Sequence, residues 1–294
     1  MNFDNSWEAL LKPGLASKYF DVHRGEPFQA TASTYSKINA WWLAELSRLI
    51  YKDDALGPRT RQECLTEVDL IEEHFFPSPK NDWDDTQCAI VKQGDSHKQP
   101  FAVLVFRGSS SLKDWLTNLR AIPVAWKQGG QVYEGFMNAL DSVWERIDKA
   151  LDQFHCPVFY TGHSLGGALA TLAASRKPPL AVYTFGSPLV GDESFMKTLP
   201  QDRVFRVINN QDLVTRVPPP LLRFEPTHVG ELHYIAHDGQ FLLNPTEDTI
   251  ERDRSERDTM NPQNTNLLRH FVEPPEFLSD HTPVNYVAHL ERAF

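Results

Sequence analysis

Apolar positions change their period along this chain. Over residues 33–51, Ile38, Trp41, Trp42, Leu46 and Ile50 recur at helical spacing. A second helix is predicted after Pro58, running through Leu65, Val68, Leu70 and Ile71. Residues 1–32, broken by Pro13, Gly14, Gly25 and Pro27, read as irregular. From residue 87 short apolar runs rich in strand formers take over: Cys88–Val91, Phe101–Phe106, Pro157–Thr161, Ala181–Phe185, Val204–Ile208 and Leu232–Ala236. Helical patterns at Gly135–Phe154 and Leu165–Arg176 lie between them. Alternating strand and helix predicts an α/β fold, a mostly parallel sheet with helices on both faces. Residues 244–279, with the highly charged Glu247–Arg257 and then Pro274-Pro275, have little sheet character and read as an insertion. No repeat and no Gly/Ser linker divides the chain, so residues 1–294 are expected to form one domain with residues 1–84 as an N-terminal extension.

Composition narrows the partners. Lys and Arg total 29 against 39 Asp and Glu, a net charge of −10, so a phosphate backbone is repelled and nucleic acid is not expected as a partner. Cys64, Cys88 and Cys156 are far apart and form no CxxC pair, which points to reduced thiols rather than a zinc knuckle or disulfide framework. Cys156 sits in an apolar run that reads as buried. The first fourteen residues carry acids where a secretory signal needs basic residues. No run approaches the ~20 apolar residues of a membrane helix. The default expectation is a cytoplasmic monomer, with export by another route open.

Chemistry concentrates at Gly162-His163-Ser164-Leu165-Gly166, which fits GxSxG between an apolar strand and an alanine-rich helix. The spacing puts Ser164 on a sharp strand-to-helix turn, where side chains at the flanking glycines would collide with strand and helix. A serine hydroxyl is a weak nucleophile at neutral pH, so a base and a group orienting that base must follow. For the acid, Asp192 reads as a helix cap and Asp202 precedes its strand, whereas Asp212 follows the Val204–Ile208 strand, at the end of the sheet where such sites form.

Six histidines lie downstream of the elbow: His228, His233, His237, His270, His281 and His289. His233 and His237 form an HxxxH pair, but the first lies in a strand pattern and no third ligand of obvious type is near, so no metal is expected. His289 falls inside the last helical pattern. His281 stands before Thr282-Pro283, a cap followed by proline at the first helical position, and is therefore on the loop entering that helix. His281 is the base candidate; Asp280 beside it reads as a solvated loop residue.

The strand Phe101–Phe106 runs into Arg107-Gly108-Ser109-Ser110-Ser111, a loop of the kind that supplies a backbone N–H to an oxyanion, paired with the N–H of Leu165. Next, Leu112, Trp115, Leu116 and Leu119 follow the i, i+3, i+4, i+7 pattern of a one-sided helix. This helix either packs on the core or covers an apolar pocket as a lid; periodicity alone does not separate the two.

These residues carry a resemblance. Phe106 to Trp115, Thr161 to Gly167, Tyr183-Thr184-Phe185-Gly186-Ser187-Pro188 with Val190-Gly191, and Asp212 before Pro218-Pro219 resemble the fungal-type class 3 lipases, in the family's order and over roughly residues 85–293. The resemblance implies the α/β-hydrolase fold, a three-layer sandwich with a helical lid over residues 110–120. It implies an oxyanion hole at Ser109 and Leu165 and a triad of Ser164, Asp212 and His281. It also implies ester hydrolysis without a cofactor, most specifically of triacylglycerol met at a lipid–water interface. A phospholipase, or an esterase for short or aromatic acyl groups, would use the same machinery, and a non-catalytic binding module is the rival of another class. The sequence departs from the family at Tyr133-Glu134-Gly135-Phe136, where a histidine often precedes Gly-Phe, and residues 1–84 and 244–279 match no family motif.

Overall fold

The computed structural model describes residues 4, 6–15, 18–52, 59–79, 86–94, 100–109, 121–218, 224–260 and 274–293. Its centre is an eight-stranded sheet. The strands are β1 (Leu70–Pro77), β2 (Gln87–Gln93), β3 (Ala102–Phe106), β6 (Val158–His163), β7 (Ala181–Phe185), β8 (Val204–Asn209), β9 (Glu231–Ile235) and β10 (Phe241–Leu243), in that spatial order. The five from β3 to β9 are parallel; β1, β2 and β10 add antiparallel edges. A separate ribbon pairs β4 (Pro123–Ala125) with β5 (Gln131–Tyr133).

The parallel strands are apolar on both faces because helices cover both. Leu104 and Tyr160 point into a core closed by α4 (Glu134–Leu151) and α5 (Leu165–Arg176), with Phe136, Leu140, Leu169 and Leu172 opposite them. Val103, Val105, Phe159 and Phe185 point the other way, against Trp41, Leu43 and Leu46 of α2 (Lys37–Leu49) and Val287 and Leu290 of α9 (Pro283–Arg292). Each such side chain, fully removed from water, contributes about 1.5–3 kcal/mol. The sequence reading set residues 1–84 apart from the hydrolase core, yet α2 supplies part of one of its two helical layers.

Two elements differ from the expectation. The helix predicted to continue through Ile71 is α3 (Arg61–Thr66), capped by Thr60, and it ends before Asp69, which adopts φ 56°; β1 starts at Leu70. Asp tolerates the left-handed conformation better than most residues, so a chain reversal is affordable there. The first thirty residues contain a short helix, α1 (Trp7–Leu11), and a 3₁₀ turn, Pro13–Leu15. The 244–279 segment contains α7 (Glu247–Met260) and α8 (Glu276–Ser279), and α6 (Glu193–Met196) is capped by Asp192 as expected. Cys156 is only partly buried, while Cys64 and Cys88 are buried; all three thiols are free. No helix among the described residues is long and apolar enough to cross a membrane.

Candidate active site

The parallel register sets the carboxyl ends of β3, β6, β7 and β8 along one edge, with Phe106 beside Gly162, Gly162 beside Thr184 and Phe185 beside Val207. Every sequence-derived candidate among the described residues follows one of those ends or lies on the loop before α9. Ser164 joins β6 to α5 at φ 59°, ψ −130°, and its N–H donates to the Phe185 carbonyl at 2.9 Å. The turn is tight enough that a Cβ on Gly162 would fall 2.3 Å from the Gly166 backbone, and one on Gly166 would fall 2.2 Å from the Phe106 carbonyl oxygen. That close approach is the physical reason for the GxSxG spacing. It holds Ser164 in a strained conformation at the end of the sheet.

Asp212 follows β8 and is fully buried. Its carboxylate accepts from three donors: His281 Nδ1–H at 2.9 Å, the Val214 N–H at 2.9 Å and the Tyr286 hydroxyl at 2.6 Å. A carboxylate can only accept, so Nδ1 of His281 carries the proton and the Nε2 of the neutral ring keeps a lone pair. That Nε2 is buried and makes no hydrogen bond. His281 and Ser164 line one small cavity together with Ser109, His163, Tyr51, Leu10, Pro13 and Pro283. Burial and the Asp212 carboxylate push the Tyr286 hydroxyl well above its usual 10, so it remains a donor.

Four residues outside the sequence candidates complete the site. Burial and the neighbouring His281 hold His163 well below 6.5, so it is neutral and has one N–H. Its Nε2 lies 2.6 Å from the His281 carbonyl oxygen, which can only accept, so the proton is there and Nδ1 accepts from the Tyr51 hydroxyl at 3.0 Å. Tyr51 and His163 thereby fix the backbone of His281. Gly186, at φ 58°, lies against the dyad: a Cβ there would sit 2.6 Å from Asp212 Oδ2 and 3.0 Å from His281 Nδ1. Tyr51 and Tyr286 gave no local signal, whereas His163 stood inside the elbow motif and Gly186 inside the motif at residues 183–188. Ser109, one of the two expected oxyanion donors, lines the cavity that holds Ser164, and Leu165, the other, is the first residue of α5. Leu112, Trp115, Leu116 and Leu119, the expected lid face, lie outside the described residues.

Three of the other downstream histidines have partners of their own. His233 pairs with Glu231 at 2.7 Å, His237 with Asp253 at 2.5 Å, and His228 bonds the Thr215 carbonyl at 2.8 Å. His289 is on α9, as its helical pattern indicates, and His270 lies outside the described residues. No group of three His, Cys, Asp or Glu suited to a metal occurs among the described residues.

Comparison with known proteins places this geometry. The profile described as lipase (class 3) matches residues 103–222. A solved structure of the Rhizomucor miehei triacylglyceride lipase is 31% identical, with 61% of this chain and 72% of that one aligned at a TM-score of 0.51. The chain belongs to the fungal-type class 3 lipase family. Its sheet and flanking helices are those of the α/β-hydrolase fold.

Among curated members, the Rhizomucor miehei lipase is 36% identical over 166 residues, covering 50% of this chain and 45% of that protein. A secreted mono- and diacylglycerol lipase of Fusarium solani is 36% identical over 152 residues, covering 47% and 45%. A chloroplastic phospholipase A(1) of Arabidopsis thaliana is 34% identical over 148 residues, covering 40% and 33%. The chain thus spans less than half the length of these curated relatives. They overturn the cytoplasmic expectation, since the fungal relative is secreted and the plant one chloroplastic. That expectation rested on the acidic character of the first fourteen residues, which bears on one export route and not on where the folded chain works.

Buried histidines make a prediction about stability. Burial lowers His228 to about 3 and His289 to about 4, each helped by nearby arginines, and holds His163 low as well. Below about 6.5 the unfolded rings bind protons that the folded rings refuse, so this stability is complete above 6.5 and is lost as pH falls toward each folded value. Asp280 opposes them: burial raises it from 3.8 to about 6, so the folded chain takes that proton first. Burial also lowers His233, which joins the histidines, and raises Glu45, which joins Asp280. With four groups against two, the urea midpoint is expected to fall from pH 7 to pH 5. A midpoint that is flat or rising over that range contradicts the assignment of these rings as buried and neutral.

Proposed function

We propose that this chain hydrolyses carboxylic esters of lipids, triacylglycerol first among them, through an acyl-enzyme on Ser164. The observation that carries the reading is the meeting of three side chains distant in sequence. Ser164 and the lone-pair nitrogen of His281 share a cavity, and Asp212 holds the far side of the imidazole. Ser164 Oγ attacks the ester carbonyl as His281 Nε2 takes its proton, and Asp212 stabilises the imidazolium that results. The backbone N–H groups of Ser109 and Leu165 bind the tetrahedral oxyanion. His281 returns the proton to the leaving alcohol, and water repeats the cycle on the acyl-enzyme. No cofactor takes part.

Residues 110–120 serve as the lid, with Leu112, Trp115, Leu116 and Leu119 as the face that meets the lipid. A net charge of −10 gives little attraction to anionic lipid, so contact with the interface rests on that apolar face. The likeness to the Rhizomucor miehei triacylglyceride lipase and to the Fusarium solani mono- and diacylglycerol lipase supports the acylglycerol reading; the Arabidopsis thaliana phospholipase A(1) supports a second reading in which the ester belongs to a phospholipid.

A chain-length series of glycerides and phosphatidylcholines, assayed below and above the concentration at which an emulsion forms, tests the reading. Turnover is expected to rise on emulsified triacylglycerol and to stay low on phosphatidylcholine. A faster reaction on phosphatidylcholine transfers the assignment to the phospholipase reading, and a rate indifferent to the interface removes the lid.

A further inference from the structure

Asp280 is not the solvated residue its loop position suggested; it is 6% exposed and lies on the loop that carries His281, bonded to the loop that carries Asp212. Its carboxylate accepts the N–H of Gln211, the residue before Asp212, at 3.0 Å. Its own carbonyl accepts from the Asn209 side chain at 3.1 Å. Arg257, on α7, forks onto the Asp280 carboxylate through both terminal nitrogens, Nη2 at 3.1 Å from Oδ1. The same guanidinium donates from Nη1 to the Asn210 side-chain oxygen at 2.8 Å, and its Nε lies 2.9 Å from Glu276 of α8. One turn earlier, Arg254 donates to the Asn210 carbonyl at 2.9 Å. Asn210 also donates to buried Asp253, which accepts from Tyr234 at 2.8 Å. All three residues that lead into Asp212 are therefore tied either to α7 or to the residue that precedes His281.

We propose that Arg257 and Asp280 are positioning residues which lock the acid loop to the base loop and so set the Asp212–His281 geometry from α7. The proposal rests on the triad reading above. Neither side chain lines the cavity that holds Ser164 and His281, so their action on the reaction passes through Asn210, Gln211 and the backbone of residue 280. A planar fork suits this task because it binds two acceptors, Asp280 and Asn210, in fixed directions; a lysine ammonium has no such fork. A loop freed to shift by about 1 Å costs on the order of 10²-fold in rate. Substrate binding, set at the cavity walls, is left alone.

The test compares Arg257→Met, Arg257→Lys, Asp280→Asn and the Arg257→Met/Asp280→Asn pair with the parent enzyme, with Ser164→Ala assayed in parallel. Arg257→Met is expected to lower kcat tenfold or more with KM within twofold of the parent, while circular dichroism shows it folded at the assay temperature. Arg257→Lys is expected to recover part of the loss. The double variant should lose little more than Arg257→Met alone, because the two side chains act as one unit. If Arg257→Met does not fold, Arg257→Lys and Asp280→Asn carry the same expectation of a kcat loss at unchanged KM. A kcat within twofold of the parent in the folded variants, a change confined to KM, or losses that multiply each overturn the clamp. An active Ser164→Ala instead overturns the triad reading itself, so the two failures are told apart.

Discussion

Replacing Ser164 with alanine is expected to lower ester turnover by ~10⁴-fold or more while leaving the fold unchanged. The size of the effect follows from the loss of the only atom able to form the acyl-enzyme in this mechanism. The remaining oxyanion donors and binding contacts preserve only a residual rate. Retention of the fold follows from the backbone. Ser164 holds φ 59° with its Cβ already in place, so alanine adds no atom and no new strain. Its N–H keeps the bond to Phe185, and the close contacts of Gly162 and Gly166 are untouched. The thermal midpoint of the variant should therefore match that of the parent. Turnover that survives the substitution removes Ser164 from the mechanism.

Asp212→Asn is expected to lower kcat by a comparable ~10⁴-fold with a much smaller change in KM. The carboxylate accepts three hydrogen bonds in a fully buried site, whereas an amide offers one accepting oxygen and a donating NH₂ group. Turned toward His281, the NH₂ forces the imidazole into the tautomer with Nε2 protonated, and the base toward Ser164 is lost. Turned toward Val214 or Tyr286, it sets donor against donor, which costs about 1–3 kcal/mol of stability for an unmet buried group. Either orientation damages the dyad. Steady-state kinetics on a soluble ester and a denaturant titration measure both parts, and a kcat within tenfold of the parent sinks the role given to Asp212.

Legibility in the sequence followed the range of each constraint. The elbow was readable because its sterics act over five adjacent residues, and the buried parallel strands because both their faces are apolar. Asp212 and His281 were readable from chain order and from a strand end or a helix start. Strand β1 was hidden because Leu65, Val68, Leu70 and Ile71 satisfy a helical spacing, while the reversal at Asp69 depends on one left-handed residue. Tyr51, Tyr286 and Asp280 were hidden for a different reason. Their partners at the site lie 112, 74 and 69 residues away, and no local pattern records such contacts. The same holds for α7: the sequence marked its segment only as a charged insertion, and nothing local shows that Arg254 and Arg257 turn to the acid loop.

The central claim is that Ser164 is the nucleophile of a buried Ser-His-Asp site, and covalent labelling tests it most directly. A small phosphonate ester that reacts only with an activated serine, followed by intact-mass and peptide analysis, should place one adduct per chain on the peptide containing Ser164. No adduct should form in the Ser164→Ala variant, and ester turnover should fall in proportion to labelling. An adduct on a different residue, or full turnover in a chain that takes up no label, would contradict the account.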